Sequence, residues 1–146
     1  MQKKIFLSEM FPQSVKYAVA SLVELAHRGG WRRLVKIKDL ALDLGIPYPF
    51  LAKIFPQLVR AGIIISVRGR GGGVRFARHP SEVSLADVIR AIEGDRFFDD
   101  CLLNFDPCKG HEERCPYVNL WDPVRDRVRK FMESLTIGEL AERRTE

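Results

Sequence analysis

The sequence predicts a mainly α-helical fold: a winged helix-turn-helix with a two-stranded wing, followed by a long C-terminal dimerisation helix. Two amphipathic segments meet at a Gly-Ile-Pro break, which is typical of a helix-turn-helix. A period-two segment interrupted by three consecutive glycines indicates a hairpin. An apolar stripe between residues 120 and 135 indicates a long helix. We therefore expect a DNA-binding domain over residues 1–80, and a helix, a cysteine-bearing loop and the dimerisation helix over 81–146.

Length and composition favour one globular domain of ordinary size. The 146 residues are 46% apolar, enough to bury a core. No run of about 18 apolar residues could span a membrane, and the N-terminus lacks a secretory signal. These features predict a cytoplasmic location, where thiols stay reduced. The net charge of +5 suits nucleic acid or another anionic partner.

The N-terminal half contains three predicted helices. The first covers residues 14–28 and ends at a Gly-Gly pair, and the second covers 37–45 and ends at Gly45. The third covers 48–61, with Pro49 in its first turn and Pro56 expected to bend it. Apolar positions at helical spacing are Val15, Ala18, Val19, Leu22, Leu25 and Ala26 in the first helix, Ile37, Leu40, Ala41 and Leu44 in the second, and Phe50, Leu51, Ile54, Leu58 and Val59 in the third.

The remaining elements are a hairpin and two further helices. Strands are predicted at 63–67 and 74–77, joined by "RGRGGG". A helix over 84–94 begins with a capping box between Ser84 and Asp87, and residues 95–116 are expected to be irregular. The long helix should begin with Asp122 as N-cap and Pro123 at its first position. A capping box from Thr136 to Glu139 opens a final short turn.

A basic block between Lys53 and Arg78 points to phosphate binding, because it contains six basic residues and no acidic one. Residues near the N-terminus of a recognition helix reach base edges in the major groove. Arg70 at the hairpin tip could enter a narrow minor groove, and the glycines would let backbone amides approach phosphates. The alternative is a helix that only packs, with its charges solvated. The candidate DNA-binding residues are Tyr48, Pro49, Ala52, Lys53, Arg60, Arg68, Arg70, Gly71, Gly72 and Gly73.

Three evenly spaced cysteines, Cys101, Cys108 and Cys115, are separated by six residues in each gap. Their polar surroundings argue against core positions, and a reducing compartment disfavours a disulfide. Zinc is one possibility, since His111 would complete a Cys3His set. An iron–sulfur cluster is the other, because its irons prefer thiolate ligands. The wide spacing slightly favours the cluster.

The C-terminal stripe predicts self-association. A helix this apolar on one side should bury that side against a second copy, giving a homodimer matched to a two-fold symmetric operator on double-stranded DNA. No catalytic constellation is recognisable, since His27, His79 and His111 are scattered, so we expect no enzyme. The candidate interface residues are Leu120, Val124, Val128, Phe131 and Leu135.

The order of these motifs resembles the Rrf2 family of bacterial winged-helix regulators, of the IscR, NsrR and RirA type. The similarity rests on "SVRGRGGGVRFAR", "SLADVIRAIEG", the cysteine trio and "TIGELAE", and extends from Ser14 to Ala141. The resemblance implies a homodimer with two wings and with C-terminal helices that cross at the interface. It further implies that the three cysteines hold a 2Fe–2S or 4Fe–4S cluster that switches DNA affinity.

This chain departs from the family pattern in ways that leave the fourth cluster ligand open. Gaps of five are common in relatives, where six occur here. The family's ligating histidine corresponds to Val118, and its acidic alternative to Lys16. Ala52 and Lys53 stand where some relatives carry an acidic residue that discriminates between operators, so the operator cannot be transferred. The remaining candidates for the fourth ligand are His111, Glu112, Asn119, Glu9 or a small exogenous molecule.

The sequence thus favours a DNA-binding transcriptional regulator that senses iron, redox state or a reactive small molecule through a cluster. A metal-free or zinc-binding winged-helix repressor is the alternative within the same fold. An iron–sulfur electron-transfer or carrier protein is a third interpretation, in which the basic wing would be incidental.

Overall fold

The computed structural model describes residues 11–99 and 117–144. Five helices and a hairpin surround the main core, and a longer helix joins them at a second cluster. In chain order the elements are α1 (Gln13–His27), α2 (Ile37–Leu44), α3 (Tyr48–Arg60), β1 (Ile64–Val67), β2 (Gly73–Phe76), a 3₁₀ turn (Pro80–Glu82), α4 (Leu85–Glu93), a second 3₁₀ turn (Asp95–Asp99), α5 (Val118–Ser134) and α6 (Ile137–Arg144).

Helices α1 to α3 form the predicted helix-turn-helix domain. Gly45 adopts the left-handed conformation, with φ of 64°, and ends α2, as expected for a glycine after a helix. Pro49 lies in the first turn of α3, and α3 continues through Pro56. The apolar positions predicted in α1 and α2 are buried or partly buried in the core. The mainly helical winged helix-turn-helix fold predicted from the sequence is therefore confirmed.

The wing is an antiparallel hairpin with Ile64 opposite Phe76 and Val67 opposite Gly73. Its strands lie one residue earlier or later than predicted at their ends. The sequence did not reveal a third participant: Val35 forms a bridge with Val74, with N–O distances of 2.8 and 2.9 Å. This bridge attaches the segment before α2 to the base of the wing.

Two capping boxes form as the sequence predicted. Ser84 Oγ accepts from the Asp87 amide at 3.0 Å, and Asp87 accepts from the Ser84 amide at 3.0 Å. Thr136 and Glu139 make the same reciprocal pair at 3.0 and 3.1 Å. The segment that follows is an eight-residue helix, α6, rather than a short turn, because Ile137 is fully buried in the main core. The chain's last described helix therefore packs back onto the domain formed by its N-terminal half.

The predicted start of the long helix was wrong. Helix α5 begins at Val118, and Pro123 lies inside it, where the proline removes only one backbone hydrogen bond. The carbonyl of Tyr117 accepts from the Leu120 and Trp121 amides at 3.1 and 2.9 Å, which secures the upstream turn. Asp122 does not cap the helix; its carboxylate contacts the Arg125 guanidinium at 2.6 Å.

Two other expectations were inaccurate in detail. Residues 95–99 form a 3₁₀ turn rather than irregular chain, and Phe98 anchors this turn in a second apolar cluster with Val15, Ile89 and Met132. In α3, Phe50 is 53% exposed, and its only ring contact among the described residues is an edge contact with Tyr17. Val59 is also partly exposed, so the buried face of α3 is narrower than the apolar pattern suggested.

Candidate nucleic-acid interface

The outer face of α3 carries two exposed cations. Leu51, Ile54, Phe55 and Leu58 form the buried face of this helix. At 3.6 residues per turn, positions 49, 53, 56 and 60 align on the opposite face. The exposed side chains there are Pro49, Lys53, Pro56 and Arg60. Three of the predicted DNA-binding residues, Pro49, Lys53 and Arg60, therefore share one solvent-facing line.

Tyr48 and Ala52 lie on the flank of this line. Tyr48 is exposed at the first position of α3, and the Lys38 Nζ atom stands 5.8 Å from its ring centroid. Ala52 is only partly exposed. Ala52 therefore offers a small apolar contact, of the kind that can meet a thymine methyl group, and no hydrogen bond.

The wing tip consists of residues 68–72 and projects two arginines. Arg68 and Arg70 are both exposed, on either side of Gly69. The Gly72 amide donates to the Gly69 carbonyl at 3.0 Å, which closes the turn. Gly69 and Gly71 have φ angles of 91° and 71°, a region that side-chain-bearing residues rarely adopt. The tip is therefore a tight turn whose conformation favours glycine at those two positions.

Gly72 and Gly73 are also required for close backbone approach. A Cβ atom on Gly72 would lie 2.2 Å from the Val67 carbonyl oxygen, and one on Gly73 would lie 2.6 Å from the Val35 carbonyl oxygen. Both contacts are with backbone atoms, which cannot move aside without disturbing the sheet. The wing itself therefore requires glycine at these two positions, in addition to the phosphate contact predicted for them.

We expect Gly73→Ala to destabilise the protein and to distort the wing. Its Cβ would collide with Val35, and its φ of 155° disfavours other residues. The free energy of unfolding should fall by about 2 kcal/mol, within the range for overpacking and backbone strain. Urea denaturation followed by circular dichroism measures this change. Gly71→Asn is the control, since asparagine tolerates the left-handed region and no atom lies within 4 Å of the Cβ position. Equal stability of both variants and the parent would contradict the steric argument.

The predicted DNA-binding cations on α3 and at the wing tip differ from several arginines elsewhere in making no ion pair within the described residues. Arg28, Arg78, Arg90, Arg125 and Arg144 each contact a carboxylate. Within the described ranges, Lys53, Arg60, Arg68 and Arg70 contact none, and all four are exposed. Cations left without carboxylates keep their full charge available to phosphate groups. The arrangement therefore suits a polyanion that contacts α3 and the wing together.

Two cations that were not among the predicted DNA-binding residues lie next to this surface. Lys36 is the N-cap of α2 and directly follows the Val35 bridge, and Lys38 contacts Tyr48. The signal that could have found them is the acid-free basic stretch "WRRLVKIK" before Asp39. The single bridge at Val35 was too short to register as a strand, so nothing in the sequence connected these lysines with the wing.

The predicted interface stripe on α5 divides into two parts. Leu120, Val124 and Phe131 are 73%, 47% and 56% exposed. Val128 packs partly into the second apolar cluster of its own chain, and Leu135 is half-buried. An exposed row of large apolar side chains is left along one side of α5.

The three cysteines and His111 lie outside the described residues, but both flanks of their segment are described. Phe98 is buried in the second cluster, and its carbonyl accepts from Arg129 Nη2 of α5 at 3.5 Å. Tyr117 precedes α5 at the other end. Both flanks therefore contact α5. The part of the chain that the structure covers contains no cluster of three or more potential metal ligands, and none of its helices has the length and apolar character needed to cross a membrane.

Comparison with known proteins gives a consistent result. Residues 11–143 match the family described as "Rrf2: Iron-dependent Transcriptional regulator". The HTH-type transcriptional regulator IscR of Vibrio atlanticus (strain LGP32) is 31% identical over 125 residues, covering 86% of this chain and 70% of that protein. The structure of T. potens IscR matches with a TM-score of 0.71 at 26% identity, over 90% of this chain and 85% of that one. The structure of CymR, described as the global cysteine regulator of B. subtilis, matches with a TM-score of 0.72 at 25% identity, over 90% and 95% of the two chains.

Proposed function

Because this chain belongs to the Rrf2 family of DNA-binding transcriptional regulators, a non-enzymatic family, we propose that it controls transcription in response to an iron–sulfur cluster held by Cys101, Cys108 and Cys115. The observation that carries the DNA-binding part is the set of exposed cations on α3 and the wing, which contact no carboxylate among the described residues. The cluster part is supported by the three thiols and by the iron-dependent description of the family.

The DNA contacts follow from the geometry of the domain. Helix α3 presents Lys53 and Arg60 outward, and its N-terminal turn presents Tyr48 and Pro49. A recognition helix of this kind enters the major groove with its N-terminal residues at the base edges. Arg70 at the thin wing tip would then enter the adjacent minor groove, which is most negative where it is narrow.

Arg70→Ala should weaken binding to duplexes flanked by A·T tracts by about tenfold and to G·C-flanked duplexes by less, because a narrow minor groove attracts the guanidinium more strongly. Fluorescence anisotropy with two duplexes that differ only in their flanks measures the difference. Arg143→Ala removes the same charge from α6, outside the wing, and should not discriminate between flanks. Unchanged affinity of Arg70→Ala on both duplexes would exclude a wing contact.

Dimerisation through α5 is part of the proposal. Leu120, Val124 and Phe131 form an apolar row that a second copy would cover, and two copies would present two α3 helices to two half-sites. A dimer with this symmetry binds a pseudo-palindromic operator in the cytoplasm.

The chain's residues fit a thiolate-bound cluster. Three cysteines supply the sulfur ligands that iron prefers, and no second ligand group competes among residues 11–99 and 117–144. The indole N–H of Trp121, at the start of α5, is buried and has no acceptor within those ranges, as expected if the bound group supplies the acceptor. The cluster, when bound, would supply an iron centre that responds to oxidants or to iron supply. His111, Glu112, Asn119, Glu9 or an exogenous molecule would provide the fourth ligand.

The attachment of the cysteine segment to the rest of the chain suggests how a change in the cluster would alter DNA binding. Its first flank is fixed by Phe98 between α1, α4 and α5, and its second flank leads into α5. Arg90 of α4 lies over the Phe98 ring at 5.3 Å and also contacts Glu133 of α5 at 2.8 Å. Helix α4 in turn packs on α1 and α3. A change in this segment would therefore shift α5 relative to the domain that holds α3.

Anaerobic purification with iron, sulfide and zinc analysis tests the proposal. We expect iron and sulfide together with visible absorbance that air diminishes. Stoichiometric zinc without iron would favour the zinc-binding repressor, with His111 completing a Cys3His set. Protein that contains no metal after anaerobic preparation would favour the metal-free regulator. Failure to bind DNA in any state would contradict the regulatory function itself.

A further inference from the structure

Two lysines at the start of α2 lie between the wing and the recognition helix: Lys36 is the N-cap, and Lys38 is in the first turn. The Val35–Val74 bridge is antiparallel, so the chain after Val35 runs toward Gly73 and the wing tip. Lys36 is therefore on the wing-tip side of the bridge. Lys38, two residues later, stands over the Tyr48 ring at the start of α3. The two lysines therefore lie between the wing, which presents Arg70, and α3, which presents Lys53.

Lys36 is an unfavourable residue for the stability of α2. Lys36 occupies the N-cap of α2 and makes no side-chain capping hydrogen bond. Serine, threonine, aspartate and asparagine are strongly preferred at that position, and a cation there opposes the helix dipole. Both lysines are exposed, and neither contacts a carboxylate in the parts of the chain that are described. A locally unfavourable choice of this kind is expected where a residue serves a ligand.

We propose that Lys36 and Lys38 bind backbone phosphates of double-stranded DNA, on the stretch of strand that passes between the wing and α3. This assignment rests on the proposed DNA-binding function and adds two contacts to it. The ammonium groups act as point charges, so these contacts fix the position of the domain on the duplex without distinguishing bases.

Arg33 provides the contrast within the same segment. It is exposed and, like the lysines, contacts no carboxylate in the described chain, but it precedes Val35 and so lies on the far side of the bridge from the wing tip. The Gly30 carbonyl accepts from the Phe76 amide at 2.8 Å, which confirms that this part of the segment runs beside the far end of β2. Arg33 is therefore not expected to reach the same phosphates.

The test compares Lys36→Ser, Lys38→Gln and the control Arg33→Gln on two duplexes, the DNA upstream of the chain's own gene and a mixed-sequence duplex. Affinity is measured by anisotropy across a salt series. Each lysine variant should reduce the steepness of the log–log salt dependence by about 0.9. Between about 50 and 200 mM salt, the loss of affinity should then be roughly 3.5-fold smaller than for the parent. The change should be equal on the two duplexes, and Arg33→Gln should keep the parent slope.

The serine variant separates binding from folding. Serine is a better N-cap than lysine, so the Tm of Lys36→Ser should equal or exceed that of the parent while its DNA affinity falls. Parent-like slopes for both lysine variants, with steep salt dependence of the parent, would overturn this inference and leave the proposed function standing. An equal reduction for Arg33→Gln would overturn the assignment to these two lysines. A parent protein that shows no salt-dependent DNA binding would instead overturn the proposed function.

Discussion

Phe131→Asp in α5 is expected to prevent the proposed dimerisation and to weaken operator binding by about 100-fold or more. Phe131 is exposed in the single chain and lies in the apolar row with Leu120 and Val124. A carboxylate there would have to be buried without a partner when two copies meet. Loss of the second half-site removes the gain in affinity that comes from linking two binding modules. Light scattering measures the assembly state, and anisotropy measures the affinity.

Phe131 is the most informative position of the stripe for this test. Val128, in the same stripe, packs partly into its own chain's second cluster, so a charge there would also disturb the monomer. Lys130→Asp places a carboxylate on an exposed position of another face of α5, and it should remain dimeric. If Phe131→Asp stays dimeric with undiminished stability, the interface lies elsewhere on the molecule.

Cys108→Ala should yield a colourless, folded dimer whose affinity for the operator differs from that of the cluster-bearing protein by about tenfold. Metal ligation requires deprotonated thiolates, so each lost cysteine removes or destabilises the cluster. A tenfold change corresponds to about 1.4 kcal/mol of coupling between the cluster and the DNA site. Iron and sulfide analysis, far-ultraviolet circular dichroism and anisotropy measure the three parts of this prediction.

The control for this substitution is Lys109→Ala, a neighbouring residue that offers no thiolate, which should keep the cluster and the parent affinity. Cys101→Ala and Cys115→Ala should match Cys108→Ala. If all three cysteine variants lose the cluster but bind DNA as the parent does, the cluster is present without acting as a switch. If the parent holds zinc and no iron, the Cys3His alternative replaces the sensor.

The local rules that the sequence obeys account for most of its correct predictions. Both capping boxes, the glycine end of α2 and the proline start of α3 depend on residues within four positions of one another. The glycine-rich hairpin is equally local, because its turn conformation excludes most other residues. Such features are visible without knowing the rest of the molecule.

One error has a local cause and the other a distant one. Asp122 and Pro123 form a typical helix start, but the Tyr117 carbonyl accepts from the Leu120 and Trp121 amides, so α5 begins one turn further upstream. The final segment is a full helix because Ile137 is buried in the main core. There, burial of an apolar side chain against a remote element offsets a weak local signal.

The sequence alone determined the helix-turn-helix, the wing, the arginines at its tip and the three cysteines available for a metal, because each depends on residue type and short spacing. Only the tertiary structure shows which cations lie near one another on the surface. Lys36 and Lys38 are more than thirty residues from Arg70, and a single antiparallel bridge at Val35 brings their segment to the wing. It also decided which part of the α5 stripe remains exposed, since Val128 is covered by its own chain and Phe131 is not. A backbone pairing between distant segments leaves no periodic signal in the chain. Neither does the division of the α5 stripe into side chains covered by their own chain and side chains that stay exposed. Only the folded structure reveals both.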